Sequence, residues 1–115
     1  MAGIKQVLAN SSVDIKYAEG SKLWSNDESG IPAAVAAASE ADVAIVLVGT
    51  WSLDQTRLWT PGTNATTGEH VDVHDLGLVG AQLELVKKVT EAAKKTVVVF
   101  ISGKPVAEPW IKARE

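Results

Sequence analysis

The chain contains no cysteine. That excludes disulfides and thiolate metal sites, and it leaves the compartment open, since many secreted proteins of this size also lack disulfides. Clustered positive charge is missing as well: 11 Lys and Arg and 14 Asp and Glu are interspersed, for a net charge of −3. Nucleic-acid and anionic-membrane partners both require concentrated Lys or Arg, so neither is expected. No apolar run reaches the length of a bilayer span, and Met1-Ala2-Gly3-Ile4-Lys5-Gln6 lacks the basic and apolar regions of a signal peptide. The sequence as written therefore reads as soluble and untargeted. Two triplets, Asn10-Ser11-Ser12 and Asn64-Ala65-Thr66, are glycan acceptors only if a parent protein is secreted.

What is present is a chain of 115 residues, 46% of them hydrophobic, which suffices for one packed core and is too short for two. Ile4 to Leu8 reads as the end of a helix stopped by Ala9-Asn10-Ser11-Ser12, so the chain is expected to begin inside an element. Val13 to Ala18 alternates apolar and polar residues, the period of a strand with one solvated face, and Gly20 ends it. Pro32 and the spacing Ile31, Val35, Ala38 predict a helix running to about Glu40. Val43 to Val48 and Thr96 to Ile101 are continuous apolar runs, the pattern of parallel strands covered on both faces. Between them Val79, Leu83, Val86, Val89 and Ala93 form one helical stripe, and Lys87, Lys88, Lys94 and Lys95 lie toward the end where the helix dipole favours cations. The expected fold is α/β: a βαβαβ core with a mainly parallel sheet, part of a three-layer αβα sandwich. Right-handed crossovers put both helices on one side and leave the other side of the sheet to the N-terminal segment or to chain outside these residues.

The connection from Thr50 to about Leu78 is far longer than a usual strand-to-helix loop, and it leaves the C-terminal end of a central strand, where ligands of open α/β sheets bind. Trp51, Leu53, Leu58 and Trp59 supply apolar area to anchor it. A dense polar run follows, Thr66-Thr67-Gly68-Glu69-His70-Val71-Asp72-Val73-His74-Asp75. Residue types alone leave three chemistries open. His70, Asp72 and His74 alternate and would share a face of an extended segment, but no fourth metal ligand is evident, so no metal is expected. A phosphate cradle lacks its glycines: Gly49-Thr50-Trp51 and Ser102-Gly103-Lys104-Pro105 both miss the required spacing, and no cofactor is expected. A carboxylic acid beside a sugar, with Glu69 protonating a leaving oxygen and tryptophan faces stacking on the ring, is the third.

Gly68-Glu69 followed by Asp75-Leu76-Gly77-Leu78-Val79-Gly80-Ala81-Gln82 resembles the family 3 glycoside hydrolase pattern, in which a glycine-glutamate pair precedes a leucine-x-leucine-proline-glycine-x-glutamine helix opening. Val97 to Pro105 with Pro109-Trp110-Ile111, Ala41 to Gly49, and Val13 to Gly20 are similar to their counterparts in that family. The resemblance covers nearly the whole chain and departs at two places: Val79 stands at the motif's proline, and Val73 where many members carry arginine. It implies that residues 1–115 are part of a C-terminal α/β sandwich domain of a β-glucosidase-type enzyme acting on terminal β-D-glucosyl residues. It implies Glu69 as the acid/base, working opposite an aspartate nucleophile on a (β/α)8 barrel that these residues do not include. Trp51 and Trp59 are candidates either to line a glucose subsite or to anchor the loop, and no substrate role is carried over to His70, Asp72 or His74. The expected partners are a β-glucoside or oligosaccharide and the barrel. A non-catalytic carbohydrate-binding module, or one self-associating through an exposed sheet edge, is the competing expectation.

Overall fold

The computed structural model describes residues 2–53, 67–68 and 75–114. Its elements are α1 (Ala2–Val7), α2 (Ile31–Glu40), β1 (Ala44–Gly49), β2 (Ser52–Leu53), β3 (Thr67–Gly68), α3 (Gln82–Ala92), β4 (Thr96–Ile101) and α4 (Pro109–Lys112). β1 and β4 pair in parallel, with Ala44 opposite Thr96 and Gly49 opposite Ile101. A parallel pair needs a crossover, and α3 provides it.

The two apolar runs become these two strands because β-branched residues fit the half-buried pleat, and period 2 divides their side chains between faces. Ala44, Val46 and Val48 are buried, and Val98 packs with them from β4. The opposite face carries Ile45, Leu47, Val97 and Ile101, which remain 54%, 48%, 44% and 62% exposed. The apolar runs read as strands suited to cover on both faces, with both helices expected on one side. Among the described residues only one face is covered, so the α/β fold is as expected, with the sheet and one helical layer of the sandwich present.

That layer is α2 and α3, packed side by side. α2 starts after Gly30 with Pro32 in its first turn, where the N–H that proline lacks has no intrahelical acceptor anyway. Small Ala34, Val35 and Ala38 allow close approach to the core. α3 buries Gln82, Leu85, Val86 and Val89, an i, i+3, i+4, i+7 face. The expected stripe was rotated slightly from this: Val86 and Val89 are central, but Val79 precedes the helix and is 39% exposed, and Leu85 is the buried leucine. Leu85 reaches inward because Gly20, at φ 74°, has no side chain in its way; a Cβ there would lie 2.8 Å from both Leu85 methyl carbons. Lys94 lies beyond the helix end and pairs with exposed Asp42 at 3.0 Å.

One expectation is corrected. Val13 to Ala18 forms no strand; its alternating pattern is real, but it pairs with neither β1 nor β4. Lys16 instead forms an ion pair with Glu40 at the end of α2. An alternating pattern specifies a strand only where a ladder partner completes its backbone hydrogen bonds. The described core is therefore βαβ flanked by α2, one strand fewer than the βαβαβ expectation.

Candidate functional site

The loop that holds Trp51 and the Thr66 to Asp75 polar run leaves the C-terminal end of β1, and the groups that fix its two roots can be followed atom by atom. Gly49, the last residue of β1, packs so closely on the Ile101 carbonyl that any Cβ would collide with it. Thr50 donates its N–H to the Ile101 carbonyl at 3.1 Å, and its hydroxyl meets the Ser102 hydroxyl at 2.8 Å. These contacts bring the exits of both strands together.

Gln82 lies under this junction. It is 1% exposed, a polar side chain buried in the core. Its Oε1 accepts from the Gly49 N–H at 2.8 Å, and its Nε2 donates to the carbonyls of Gly49 (3.0 Å), Leu23 (2.9 Å) and Val79 (3.0 Å). The carboxamide thus completes the backbone pairing of Gly49 as a neighbouring strand would, and ties three segments to the N-terminus of α3. Sequence reasoning named Gln82 as the glutamine of the helix-opening motif and gave it no role. The available signal was a glutamine standing one turn before Val86 on an otherwise apolar stripe, which is the place for a buried residue with satisfied hydrogen bonds.

The segment holding Leu23 also brings Trp24 against Trp51, with ring centroids 5.0 Å apart and planes tilted by 31°. Trp51 is 39% exposed, so the pair forms a partly open aromatic edge beside the loop root. Trp24 was not anticipated as a site residue. A shallow cavity of about 220 Å³ opens next to it, lined by Leu23, Leu47, Val48, Gly49, Thr50 and Ile101. Below the pair, the Ala81 N–H donates to the Ser25 carbonyl at 2.8 Å. Ser25 begins a tight turn in which Asp27 accepts from the Ser29 N–H at 2.9 Å, and that bond holds the Asp27 carboxyl below its ordinary pKa.

Immediately after Trp51 the loop pairs with its own return limb: Ser52 lies opposite Thr67 and Leu53 opposite Gly68 in a short parallel ladder, β2 with β3. At the second root, Glu108 Oε1 accepts from the Leu78 N–H, the Ala107 N–H donates to the Leu76 carbonyl at 2.8 Å, and Asp75 Oδ1 receives the Gly77 N–H at 2.8 Å. Glu69, Trp59, His70, Asp72 and His74 lie outside the described residues. Of the predicted site residues, Trp51 is therefore positioned, as is Gly68, the chain neighbour of Glu69.

This loop, rooted at a parallel-strand terminus and followed by α3, occurs in a chain whose residues 1–115 match the glycosyl hydrolase family 3 C-terminal domain. The chain belongs to glycoside hydrolase family 3. Its similarity to individual proteins points the same way. It is 33% identical over 99 residues to a beta-xylosidase of Formosa agariphila, covering 86% of this chain and 12% of that protein. It is 32% identical over 103 residues to the exo-1,4-beta-xylosidase xlnD of Emericella nidulans, covering 90% and 11%, and 33% identical over 84 residues to a beta-glucosidase of Rhizobium radiobacter, covering 73% and 9%. The family 3 segment described here thus spans about a tenth of the length of these relatives.

Proposed function

We propose that this family 3 domain contributes the acid/base carboxylate, Glu69, to a retaining, exo-acting β-glycosidase whose aspartate nucleophile resides on a separate (β/α)8 barrel. The observation that carries the reading is the gap-free spacing by which Gly68-Glu69 and the Asp75 to Gln82 helix opening follow the family pattern, Val79 in place of its proline apart, on a loop whose two roots are held by buried or half-buried hydrogen bonds. A retaining glycosidase needs its two carboxyl groups about 5–5.5 Å apart, and one of them must be protonated at the start and ionised later. A loop closed over a barrel mouth, with tryptophan beside it, provides the partial desolvation that raises such a pKa.

The substrate is a terminal β-D-glucosyl unit. Relatives named for xylose as well as glucose make a direct comparison of the two sugars, which differ by one hydroxymethyl group, the informative specificity assay. Glu69→Gln in the polypeptide that joins this domain to its barrel is expected to abolish hydrolysis of poor leaving groups, while an activated aryl glycoside retains glycosylation and azide restores turnover. Unchanged kcat/KM on every substrate refutes the role. The 115-residue chain alone is expected to be silent with a chromogenic glucoside or xyloside, because it carries half of the carboxylate pair.

The exposed Trp24–Trp51 edge favours one second reading, a sugar-binding module without catalysis. Saturable quenching of tryptophan fluorescence by glucose, xylose or cellobiose with the chain alone would select that reading, and no response selects the shared site.

A further inference from the structure

The hydrogen bonds of Gln82 go beyond what a helix residue needs. A carboxamide has two N–H donors, and here they serve three carbonyls, those of Leu23, Gly49 and Val79, so one hydrogen is shared. Its oxygen takes the Gly49 N–H. Both backbone groups of Gly49 are therefore satisfied by one side chain 33 residues away, at the point where β1 stops and the Glu69 loop starts. On its other side Gly49 abuts the Ile101 carbonyl with no room for a side chain, and Thr50 bonds that same carbonyl. The loop root is clamped between α3 and β4. The same carboxamide holds Leu23, whose neighbour Trp24 stacks on Trp51 two residues into the loop.

We propose that Gln82 is a positioning residue for the acid/base loop: it fixes the direction in which the chain leaves β1, and with it the Trp24–Trp51 pair and the β2–β3 ladder that ends at Gly68. The catalytic half of this inference rests on the Glu69 reading above, whereas the clamp at Gly49 stands on geometry alone. Ordinary core residues stabilise every element that packs on them. A clamp confined to one backbone position has local consequences, and this distinguishes the two roles.

The test has two arms. In the 115-residue chain, Gln82→Met keeps the volume and removes all four hydrogen bonds. Amide exchange at Gly49, Thr50 and Trp51 is expected to accelerate at least tenfold relative to Val97 and Val98 in the middle of β4. Equal acceleration at both places assigns Gln82 to packing and overturns the proposal. In the polypeptide that unites this domain with its barrel, kcat/KM is compared for a dinitrophenyl glycoside, whose departure needs no acid, and a phenyl glycoside, whose departure does. Gln82→Met is expected to raise the dinitrophenyl-to-phenyl ratio at least tenfold, a quantity from which the fraction of folded enzyme cancels. Glu69→Gln measured alongside separates the hypotheses: no change of ratio in Glu69→Gln sinks the acid/base reading, whereas a changed ratio there and an unchanged one in Gln82→Met sinks the positioning role. Should Gln82→Met fail to fold, Gln82→Glu repeats the comparison with the same shape, because an ionised carboxylate still accepts from Gly49 but donates to none of the three carbonyls. Failure of both variants to fold assigns the residue to folding alone and overturns the proposal.

Discussion

Replacing Gly80 by alanine tests whether the turn into α3 depends on a left-handed glycine. Gly80 has φ 69°, and a Cβ built on it lies 2.9 Å from the Ser25 carbonyl carbon and 3.1 Å from the Ser25 nitrogen, with the carbonyl oxygen closer still. A left-handed conformation costs an L-residue roughly 1–2 kcal/mol. The backbone of Ser25 has no rotamer with which to retreat, so the Ala81 N–H to Ser25 bond, 2.8 Å, is strained or lost, at a net cost of about 0.5–1.5 kcal/mol. Alanine recovers part of this, about 0.4–1 kcal/mol, by restricting the unfolded chain. The expected loss is about 2 kcal/mol. For a urea dependence of about 1.5 kcal/mol per molar, that lowers the unfolding midpoint by roughly 1.3 M. Far-UV circular dichroism of the 115-residue chain measures it. Gly103→Ala is the matched control, since Gly103 has no left-handed φ and nothing within 4 Å of a built Cβ; it should stay within about 0.5 kcal/mol of the parent. If Gly80→Ala unfolds at the same urea concentration as Gly103→Ala, the steric argument for this turn is wrong.

Two further outcomes follow from the packing and the charges. Val86 is 0% exposed at the centre of the core, so Val86→Ala, which removes two methyl groups at about 0.5–1.5 kcal/mol each, should cost about 1–3 kcal/mol in the same urea titration; a loss below about 0.5 kcal/mol would mean that the site collapses around the smaller side chain. The Lys16–Glu40 hydrogen bond and charge pair lower the Glu40 pKa from 4.5 and raise the Lys16 pKa from 10.5. The depressed Glu40 contributes stability that is complete above pH 4.5 and is lost as pH falls through its lower folded value; the raised Lys16 contributes stability that is complete below pH 10.5 and is lost as pH rises through its higher one. Both groups are fully solvated, so the effect is small. The difference in unfolding midpoint between the parent and Lys16→Met should be flat across neutral pH and shrink at both extremes; a difference that grows toward low pH contradicts the assignment.

The elements most legible in the sequence were those whose signal is intrinsic to the segment. Val43 to Val48 and Thr96 to Ile101 are apolar at nearly every position, and each formed its strand within one residue of the expected bounds. Pro32 and the alanine-rich spacing gave α2 for the same reason. Elements that depend on a distant partner read less well. Val13 to Ala18 has strand periodicity but found no ladder, and Leu85 is buried instead of Leu83 because Gly20, far off in sequence, leaves space for it. The placing of both helices on one side of the sheet followed from crossover handedness, and the described residues place a layer on that one face alone. At the site, sequence pointed to the loop through its length and to Trp51 through its size. The roles of Trp24 and Gln82 were hidden, since they come from contacts made across 27 and 33 residues.

The choice of a neutral amide at the loop root has a chemical logic. A general acid must sit within hydrogen-bond reach of the leaving oxygen, and displacement of about 1 Å from productive geometry can cost two orders of magnitude in rate. Between Gly49 and Asp75 lie 25 residues, and the entropy cost of closing a connection grows with its length. Its roots must be fixed, and both are: Gln82 holds Gly49 and Glu108 holds Leu78. An ion pair buried beneath Gly49 would carry a desolvation cost that a neutral carboxamide avoids. Gln82 donates and accepts without carrying charge. It therefore fixes where the loop begins without placing a charge in the core.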